Sequence, residues 1–292
     1  MLNDSARHLI EAGGKRVRPA LTLLFADTVT PDCDDAVTAA VACELVHLGS
    51  LHHDDVIDEA STRRGVPTVN VSWSNTVAVL SGDFLLGRAS QLAASLGAEP
   101  AAILADTIAA LAAGEILELE NLFSTSVAAD AYYASITDKT ASLMGTACRL
   151  GVVVAGASDT AAAQATSFGI ELGLVFQIVD DVLDVIGDEA QTGKQRGIDL
   201  VEGVYTLPTL LALQNDSDRR LHKLLRPEPT PHEVDEAIEL IVALGGPKRA
   251  VEIAAKHLAR CDAILDTIPA CAAREALGRL SRYVLERTML DF

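Results

Sequence analysis

Apolar residues recur every three to four positions along most of this 292-residue chain, which is the spacing of an α-helix with one buried face. No run with strict two-residue alternation is long enough to predict a β-sheet. The pattern therefore predicts an all-α fold, with helices over residues 35–58, 77–96, 101–122, 137–155, 161–186, 206–214, 231–244, 247–268 and 270–290.

Three polar segments containing Gly or Pro interrupt these helices, at residues 59–70, 187–206 and 215–231. The first two directly follow the acidic motifs considered next, so they predict loops at the mouth of a pocket. The third has the composition of an exposed connection. Because the chain beyond it is short and keeps the helical period, we expect a single domain over residues 1–292.

Two copies of one acidic motif, DDVID at residues 54–58 and DDVLD at residues 180–184, lie within apolar helical segments. Positions i and i+4 share a helix face, so two pairs of carboxylates each point one way: Asp54 with Asp58, and Asp180 with Asp184. Such carboxylates repel one another unless a cation lies between them. One copy is compatible with a solvated acidic patch, but two copies with apolar flanks predict two walls of one metal pocket. Mg²⁺ fits best, because it binds carboxylate oxygens and completes its shell with water and phosphate, so we expect a bound diphosphate.

Basic residues lie next to both acidic motifs and near predicted helix starts. Arginine donates two parallel hydrogen bonds to a phosphate, and a helix N-terminus adds free backbone N–H groups. Each of these residues alone is compatible with a solvated surface charge, and their position beside the aspartates favours a binding role. The candidates are Lys15, Arg16 and Arg18 in GGKRVRP, Arg63 and Arg64 after the first motif, Lys139 with Thr140, and Lys194 in a Gly-rich loop able to close as a lid.

Histidine and glutamine near the motifs are weaker candidates. His47 precedes Asp54 on a shared helix face, although a lone helical histidine is more often a core or surface residue. Gln177 shares the face of Asp180 and is equally compatible with a structural amide and with a ligand. His52 and His53 adjoin Asp54 and suggest a His/Asp metal site as an alternative.

Composition excludes some classes of function. Lys and Arg number 23 against 41 Asp and Glu, and the net charge of −18 argues against a nucleic-acid partner. Five cysteines without paired spacing indicate reduced thiols of a cytoplasmic protein. The N-terminus has no apolar signal-peptide core, and no transmembrane segment is predicted.

Taken together, the motifs resemble those of the trans-isoprenyl diphosphate synthases, or polyprenyl synthetases. The resemblance runs nearly end to end, through GGKRVRP, ELVHLGSLHHDDVIDEASTRRGVPTVN, LSGDFLLGRA, GEILEL, DKTASL and FQIVDDVLDVIGDEAQTGKQRGIDL. It implies an isoprenoid synthase-type helical bundle around a deep central cavity, present as a homodimer. The implied reaction is chain elongation: an allylic diphosphate ionises, isopentenyl diphosphate attacks the cation, and a proton passes to the released diphosphate.

The resemblance also implies a role for each motif residue. Those that hold Mg²⁺, three ions per site with substrate bound, are Asp54, Asp58 and Asp180, with Asp184 acting through water and Asp55 and Asp181 in support. Those that clamp the allylic diphosphate are Arg63, Lys139 and Lys194. Those that bind isopentenyl diphosphate are Lys15, Arg18, His47 and Arg64. The polar groups beside the carbocation are Thr140 and Gln177.

Product length is expected to depend on the helix that precedes the first motif. Ser50 and Gly49, four and five positions before Asp54, are small, and Val46 is the next aliphatic residue on that face. Short-chain members of the family usually carry an aromatic residue there. This sequence therefore predicts a long product, heptaprenyl to decaprenyl, for a quinone side chain. A floor formed by another helix would instead give a geranylgeranyl or farnesyl product.

Three features depart from the family pattern. Val204 stands where many members have a lysine that contacts the allylic diphosphate, and Gln195 stands where a proline usually follows the Gly-Lys of the lid. The family's first helix is expected to be missing or shortened. These departures leave a non-catalytic subunit of a heteromeric synthase as an alternative, although such subunits tend to lose aspartates that this chain keeps.

Two other enzyme classes match part of the pattern. A class I terpene cyclase needs only the ionisation step, so the residues assigned to isopentenyl diphosphate argue against it. A helical His/Asp phosphohydrolase would use His47, His53 and Asp54, but it leaves the second acidic motif and Lys194 without a role.

Overall fold

A computed structural model of the chain describes residues 1–187 and 196–289, with side chains as far as Glu286. Contacts between Cα atoms divide the chain into two compact units. Unit 1 comprises Met1–Leu111, Leu143–Gly169 and Pro269–Arg274, and unit 2 comprises Ala112–Ser142, Ile170–Ile268 and Glu275–Phe292. The single domain predicted over residues 1–292 stays a prediction.

The regular secondary structure of the described residues is helical, apart from one short hairpin, as the hydrophobic period predicts. The first eight helices are α1 (Leu2–Glu11), α2 (Val17–Asp27), α3 (Asp34–Ile57), α4 (Val69–Ser72), α5 (Asn75–Ser95), α6 (Ala98–Glu120), α7 (Ala129–Ile136) and α8 (Ser142–Val154). The others are α9 (Asp159–Ile186), α10 (Ile198–Glu202), α11 (Leu207–Leu213), α12 (Arg220–Leu224), α13 (Pro231–Ala243), α14 (Gly246–Leu265) and α15 (Ala272–Met289). A π-helical turn, Thr137–Ala141, joins α7 to α8, and the hairpin pairs β1 (Thr62–Arg63) with β2 (Val66–Pro67).

The predicted helix boundaries agree closely with the structure for the long helices. Residues 35–58 and 161–186 correspond to α3 and α9, whose observed ends differ by at most two residues. Helices α1 and α7 are not predicted, and for α2 only a start at the proline of GGKRVRP is, because 8 to 11 residues offer too few periods to separate a helix from a polar loop. Helix α1 stands directly before GGKRVRP, where a missing or shortened helix is expected.

Local sequence explains where individual helices begin. The hydroxyl of Ser74 accepts a hydrogen bond from the backbone N–H of Val77 (3.2 Å) at the start of α5. At the start of α13, Thr230 and Glu233 bond reciprocally to each other's backbone N–H groups, and Pro231 occupies the first helical position. These side chains satisfy backbone donors that have no partner within the first turn of a helix.

Unit 1 is built on the pairing of α3 with α5. The two helices cross at Gly49 and Gly82, where a Cβ atom on Gly49 would lie 3.1 Å from the carbonyl oxygen of Gly82. An apolar cluster of Ala6, Leu9, Leu48 and Leu85 packs α1 against the same two helices. Helix α3 also packs on α2, so two neighbouring helices hold α3 in place.

Unit 2 holds the π-helical turn between two glycines. A Cβ atom on Gly114 of α6 would overlap the backbone nitrogen of Lys139, and one on Gly173 of α9 would lie 2.5 Å from the Cα atom of Ala141. Only glycine permits backbones to approach this closely. Elsewhere in the unit, α11 packs on α13 and α14.

None of the helices formed by the described residues has both the length and the apolar character needed to cross a membrane.

Candidate functional site

The first acidic motif lies at the C-terminal end of α3. Asp54 is half-buried in the last turn, and the exposed Asp58 ends the helix with its backbone N–H donating to the carbonyl of Asp54 (2.8 Å). The carbonyl dipoles make this end of a helix negative, so carboxylates are disfavoured here unless a cation compensates them. The placement of both aspartates therefore fits a cation-binding role.

After α3 the chain forms the hairpin that carries RRG. Its turn, Arg64-Gly65, has positive φ at both residues (55° and 77°), as a two-residue type I′ turn requires. The guanidinium of Arg64 donates to the carbonyls of Leu9 (2.8 Å) and Gly13, which ties the hairpin to the loop of GGKRVRP. Gly14 leaves room for this guanidinium, since a Cβ atom there would lie 2.9 Å from its central carbon. Two motifs that are distant in sequence therefore meet within unit 1.

Arg18 is a half-buried cation of this region. Its Nε atom is removed from solvent and has no hydrogen-bond partner among residues 1–187 and 196–289. Burial, opposed by the nearby Glu44, lowers the pKa of Arg18 to about 10. A buried guanidinium donor without a partner is costly, so an anion beside Arg18 would stabilise it.

Four arginines surround His47: Arg16, Arg18, Arg63 and Arg64. Burial, with these four charges, lowers the pKa of His47 well below its usual value, so the imidazole is neutral near pH 7. We call these four arginines with His47 the cationic cluster. Two of its guanidinium groups are paired with carboxylates, Arg16 with Glu44 and Arg63 with the buried Asp55. The remaining positive charge suits a phosphate or diphosphate.

The second acidic motif occupies the last turns of α9 in unit 2. Asp184 Oδ1 accepts a hydrogen bond from the backbone N–H of Ile198 (3.2 Å), which holds the start of α10 against α9. Asp199 follows directly, and burial with the charges of Asp184, Asp181 and Asp180 raises the pKa of Asp199 well above its usual value. Four carboxylates are therefore crowded at the end of one helix.

Lys139, on the π-helical turn, lies between two glutamates of α6. Its Nζ atom is 2.7 Å from a carboxylate oxygen of Glu115 and 2.5 Å from one of Glu118. Burial disfavours the ammonium, but Glu118 and Glu115 outweigh it and raise the pKa of Lys139 above its ordinary value. An ammonium has three N–H donors, so one remains for a ligand after these two contacts.

A chain of hydrogen bonds links the next residue of the turn to the second motif. Thr140 donates to Gln177 Oε1 (2.8 Å), Gln177 Nε2 donates to Asp181 Oδ1 (2.8 Å), and Tyr132 donates to Asp181 Oδ2 (2.5 Å). Asp181 is 1% exposed, and burial is the main reason that its pKa is raised to about 7, with Asp180 and Asp184 adding to the effect. The structure thus brings Thr140 and Gln177 into contact, and their role beside a carbocation stays a prediction.

The carboxylates of the second motif suit Mg²⁺, although they do not form a closed cage. Within the described part of the chain, no three His, Cys, Asp or Glu side chains form a group able to hold a metal ion. Magnesium does not require such a cage, because it uses one or two carboxylates and takes its other ligands from water and phosphate. The crowded carboxylates of unit 2 are hard oxygen donors in excess of local positive charge, so they fit this cation.

The histidines beside the first motif serve helix packing. His52 is buried and its Nδ1 lies 2.8 Å from the hydroxyl of Ser81, while His53 Nε2 lies 3.1 Å from the carbonyl of Val79. Burial is the main reason that the pKa of His52 is lowered to about 4. Both rings thus bind α3 to α5.

The positions predicted to set product length differ in their surroundings. Val46 is buried, and Ser50 is half-buried with its hydroxyl donating to the carbonyl of His47 (2.9 Å). Gly49 is small, but its face is occupied by neighbouring atoms. A side chain at this position would point at Gly82 and Leu86 of α5, because the two helices cross there.

Several site residues escape prediction from sequence, and others fall outside the described residues. Tyr132, Asp199, Glu115 and Glu118 reach the site only through tertiary contacts, although GEILEL contains both glutamates. Val204 is half-buried, and its backbone N–H donates to the carbonyl of Asp199 (2.8 Å). The lid residues Lys194 and Gln195 lie outside the described residues.

Comparison with known proteins identifies relatives along the whole chain. A family model described as "Polyprenyl synthetase" matches residues 1–241. The nonaprenyl diphosphate synthase of Mycobacterium tuberculosis is 40% identical over 98% of this chain and 87% of its own length. Component 2 of the heptaprenyl diphosphate synthase of Geobacillus stearothermophilus is 38% identical over 98% of this chain and 90% of its own.

Solved structures share the fold. A decaprenyl diphosphate synthase from Rhodobacter capsulatus superimposes with a TM-score of 0.92 and 34% identity, covering 98% of this chain and 90% of that one. The predicted all-α class and the isoprenoid synthase fold are thereby confirmed.

Proposed function

This chain belongs to the polyprenyl synthetase family, and from that premise we propose how its residues divide the work of a prenyl transfer. The reaction class follows from membership of the family. The chain is a trans-polyprenyl diphosphate synthase, which elongates an allylic diphosphate with isopentenyl diphosphate and releases diphosphate.

The buried Nε of Arg18, which has no hydrogen-bond partner in the described part of the chain, carries the assignment of the isopentenyl diphosphate site. The cationic cluster has more guanidinium groups than carboxylates, and its neutral His47 can donate one hydrogen bond without adding charge. In this proposal Lys15, Arg18, His47 and Arg64 bind the diphosphate of isopentenyl diphosphate. Because the cluster itself supplies the positive charge that a diphosphate needs, it binds this substrate without a metal ion.

The acidic motifs bind the allylic diphosphate through Mg²⁺. Asp54, Asp58 and Asp180 hold the ions, three per site with substrate bound, and Asp184 acts through water. When bound, the metal ions neutralise the negative charge that develops on the leaving diphosphate. The position of each motif at the negative end of its helix supports this role.

The chain's own side chains orient the substrate and stabilise the cation. Lys139 directs its third N–H to the allylic diphosphate, with Arg63 and Lys194 as further donors. Thr140 and Gln177 present oxygen atoms to the allylic cation. The Ala- and Leu-rich helices exclude water that would capture that cation, and the released diphosphate accepts the proton.

Long products and a homodimer complete the proposal. The relatives named for nonaprenyl and heptaprenyl diphosphate support a long chain, against the alternative of a geranylgeranyl or farnesyl product. Three exposed apolar side chains of α5, Val79, Leu80 and Phe84, support a second copy of this chain as the partner. Sedimentation equilibrium tests this, since a monomer at micromolar concentration would contradict it. A relative named as component 2 keeps the heteromeric alternative open to the activity assay below.

Calorimetric titration tests the division between the two sites. We expect isopentenyl diphosphate to bind equally with Mg²⁺ and with EDTA, because guanidinium groups hold it. A non-reactive thiolo analogue of an allylic diphosphate should bind with Mg²⁺ and lose at least tenfold in affinity with EDTA. Loss of both ligands in EDTA would contradict the assignment of the cationic cluster.

A further inference from the structure

Tyr132 lies at one end of the hydrogen-bond chain that ends at Thr140. Its ring is 7% exposed, and its hydroxyl donates to Asp181 Oδ2 at 2.5 Å. Burial and the Asp181 carboxylate raise the pKa of Tyr132 well above its ordinary value, so the phenol keeps its proton. Tyr132 is therefore a fixed donor to Asp181.

The chain of hydrogen bonds sets the orientation of the Gln177 amide. Because Asp181 Oδ2 accepts the hydrogen bond from Tyr132, Asp181 Oδ1 is the acceptor that faces the Gln177 amide. The amide must then turn its Nε2 towards Asp181, because the opposite orientation would bring two acceptor oxygens together. Gln177 Oε1 consequently faces Thr140.

The same constraint fixes the Thr140 hydroxyl. Because Gln177 Oε1 can only accept, the Thr140 hydrogen points at it, and the lone pairs of the Thr140 oxygen remain available to another group. All donors in this chain of hydrogen bonds point in the direction of Asp181. The negative end of this aligned set of dipoles lies at the Thr140 oxygen, where a positive centre would be stabilised.

We propose that Tyr132 is a positioning residue for prenyl transfer, which acts through Asp181 and Gln177 to hold the Thr140 oxygen towards the allylic cation. The proposal rests on the proposed function, which places Thr140 and Gln177 beside that cation. Without the Tyr132 hydroxyl, Asp181 is free to rotate, the Gln177 amide loses its fixed orientation, and the Thr140 hydrogen can point at the cation.

The neighbouring Tyr133 provides a matched control. It stands on the same helix, and its ring contacts that of Tyr132 (centroids 5.4 Å apart) and that of His257 (6.1 Å). It is half-buried, and among the described residues its hydroxyl has no hydrogen bond to Asp181. Each tyrosine can be changed to phenylalanine by removing a single oxygen atom.

Steady-state kinetics of Tyr132→Phe and Tyr133→Phe form the first part of the test. We expect Tyr132→Phe to lower kcat about tenfold, the effect of roughly one hydrogen bond to a charged group. The KM values for both diphosphates should stay within twofold, because the residue acts on the cation and not on the phosphates. Tyr133→Phe should keep kcat and both KM values within twofold of the wild type.

A double-mutant cycle with Thr140→Val separates positioning from a general structural effect. If Tyr132 acts through Thr140, each single change and the double change should lower kcat by a similar factor. If the two residues act independently, the factors multiply. Should Tyr132→Phe prove unfolded at the assay temperature, the cycle is run at a lower temperature at which circular dichroism shows all three variants folded, with the same expectation.

Unchanged kcat in Tyr132→Phe, or effects that multiply in the cycle, would overturn the proposal while leaving the proposed function intact. An inactive wild-type chain would overturn the proposed function, and this inference with it.

Discussion

At the scale of single residues, burial decides which of the basic side chains belong to a site. The chain has 23 Lys and Arg residues, and most of them are ordinary solvated charges. Arg18 differs because its Nε is enclosed and the described residues offer it no partner. Arg64 differs because its guanidinium is held by backbone carbonyls and its backbone lies in a left-handed turn. The enclosed donor of Arg18 is a costly arrangement that a bound anion compensates.

We predict that Arg18→Lys raises the KM for isopentenyl diphosphate tenfold or more, which corresponds to about 1.4 kcal/mol of lost binding. Lysine keeps the charge but loses the planar set of donors that a diphosphate needs. The KM for the allylic diphosphate should stay within twofold. Arg7→Lys is the control, because Arg7 is exposed and pairs with Glu11 (3.1 Å), away from the cationic cluster's guanidinium contacts. Equal changes in both KM values would contradict the assignment.

We predict that Ser50→Phe shortens the product, whereas Gly49→Phe mainly destabilises the fold. Ser50 is half-buried on the face of Asp54, so an aromatic ring there can stand in the path of the growing tail. Gly49 faces Gly82 and Leu86, and overpacking of this kind costs about 1–3 kcal/mol or more. Chromatography of the dephosphorylated products and thermal melts measure the two effects. A Gly49→Phe variant of unchanged stability with a shortened product would show that the tail passes position 49.

Residues whose role follows from local spacing could be predicted from the sequence. The acidic motifs, GGKRVRP and RRG have this property, because helix periodicity and turn chemistry act over a few residues. Tyr132, Asp199, Glu115 and Glu118 could not be assigned roles, since each reaches its partner through tertiary packing. Gly49 shows the opposite failure. Its small size in the sequence suggests space for a growing product, whereas in the structure it marks a close helix crossing.

At the scale of elements, the π-helical turn Thr137–Ala141 carries Lys139 and Thr140 between two glycines. A π-turn often marks a functional position, because it inserts one residue and redirects the side chains around it. The sequence predicted an unbroken helix from residue 137, since one extra residue hardly alters the hydrophobic period. Gly114 and Gly173 provide the space for the wider turn.

We predict that Gly114→Ala destabilises the protein by about 1–3 kcal/mol and lowers kcat, because the added Cβ atom overlaps the Lys139 backbone. Gly87→Ala is the matched control, since Gly87 is also within a helix and a Cβ atom there meets no other atom within 4 Å. Alanine at that position should be neutral or stabilising by up to about 1 kcal/mol. Urea denaturation measures both. Equal effects of the two changes would contradict the role given to Gly114.

The start of α12 contains a pH-dependent contact. Burial alone would raise the pKa of Asp216. The ring of His222 (2.6 Å) and backbone N–H groups donate hydrogen bonds to its carboxylate, and these lower the pKa of Asp216 from 3.8 to about 2. A folded-state pKa below the unfolded value stabilises the protein above about pH 4, and this stability is lost as the pH falls towards 2.

We predict that Asp216→Asn lowers the free energy of unfolding by about 1–3 kcal/mol at pH 7, and that the difference shrinks as the pH approaches 2. Asp218→Asn is the control, because Asp218 is exposed and should change stability by no more than about 0.5 kcal/mol. Urea denaturation at pH 7, 4 and 3 measures both variants. A difference for Asp216→Asn that stays constant across this range would contradict the pKa assignment.

At the scale of the whole molecule, the hydrophobic period was sufficient for the fold class, because long helices bury one face each and leave many periods to count. The division into two compact units could not be predicted, since it depends on contacts between distant segments. The same limit applies to product length, which depends on the full set of helices around the growing tail.

The most direct test of the account is incubation of the purified chain alone with Mg²⁺, labelled isopentenyl diphosphate and farnesyl diphosphate, followed by chromatography of the dephosphorylated products. The account predicts a ladder of prenols that ends at long chains, and no products when EDTA replaces Mg²⁺. No incorporation of label with any allylic diphosphate would contradict it.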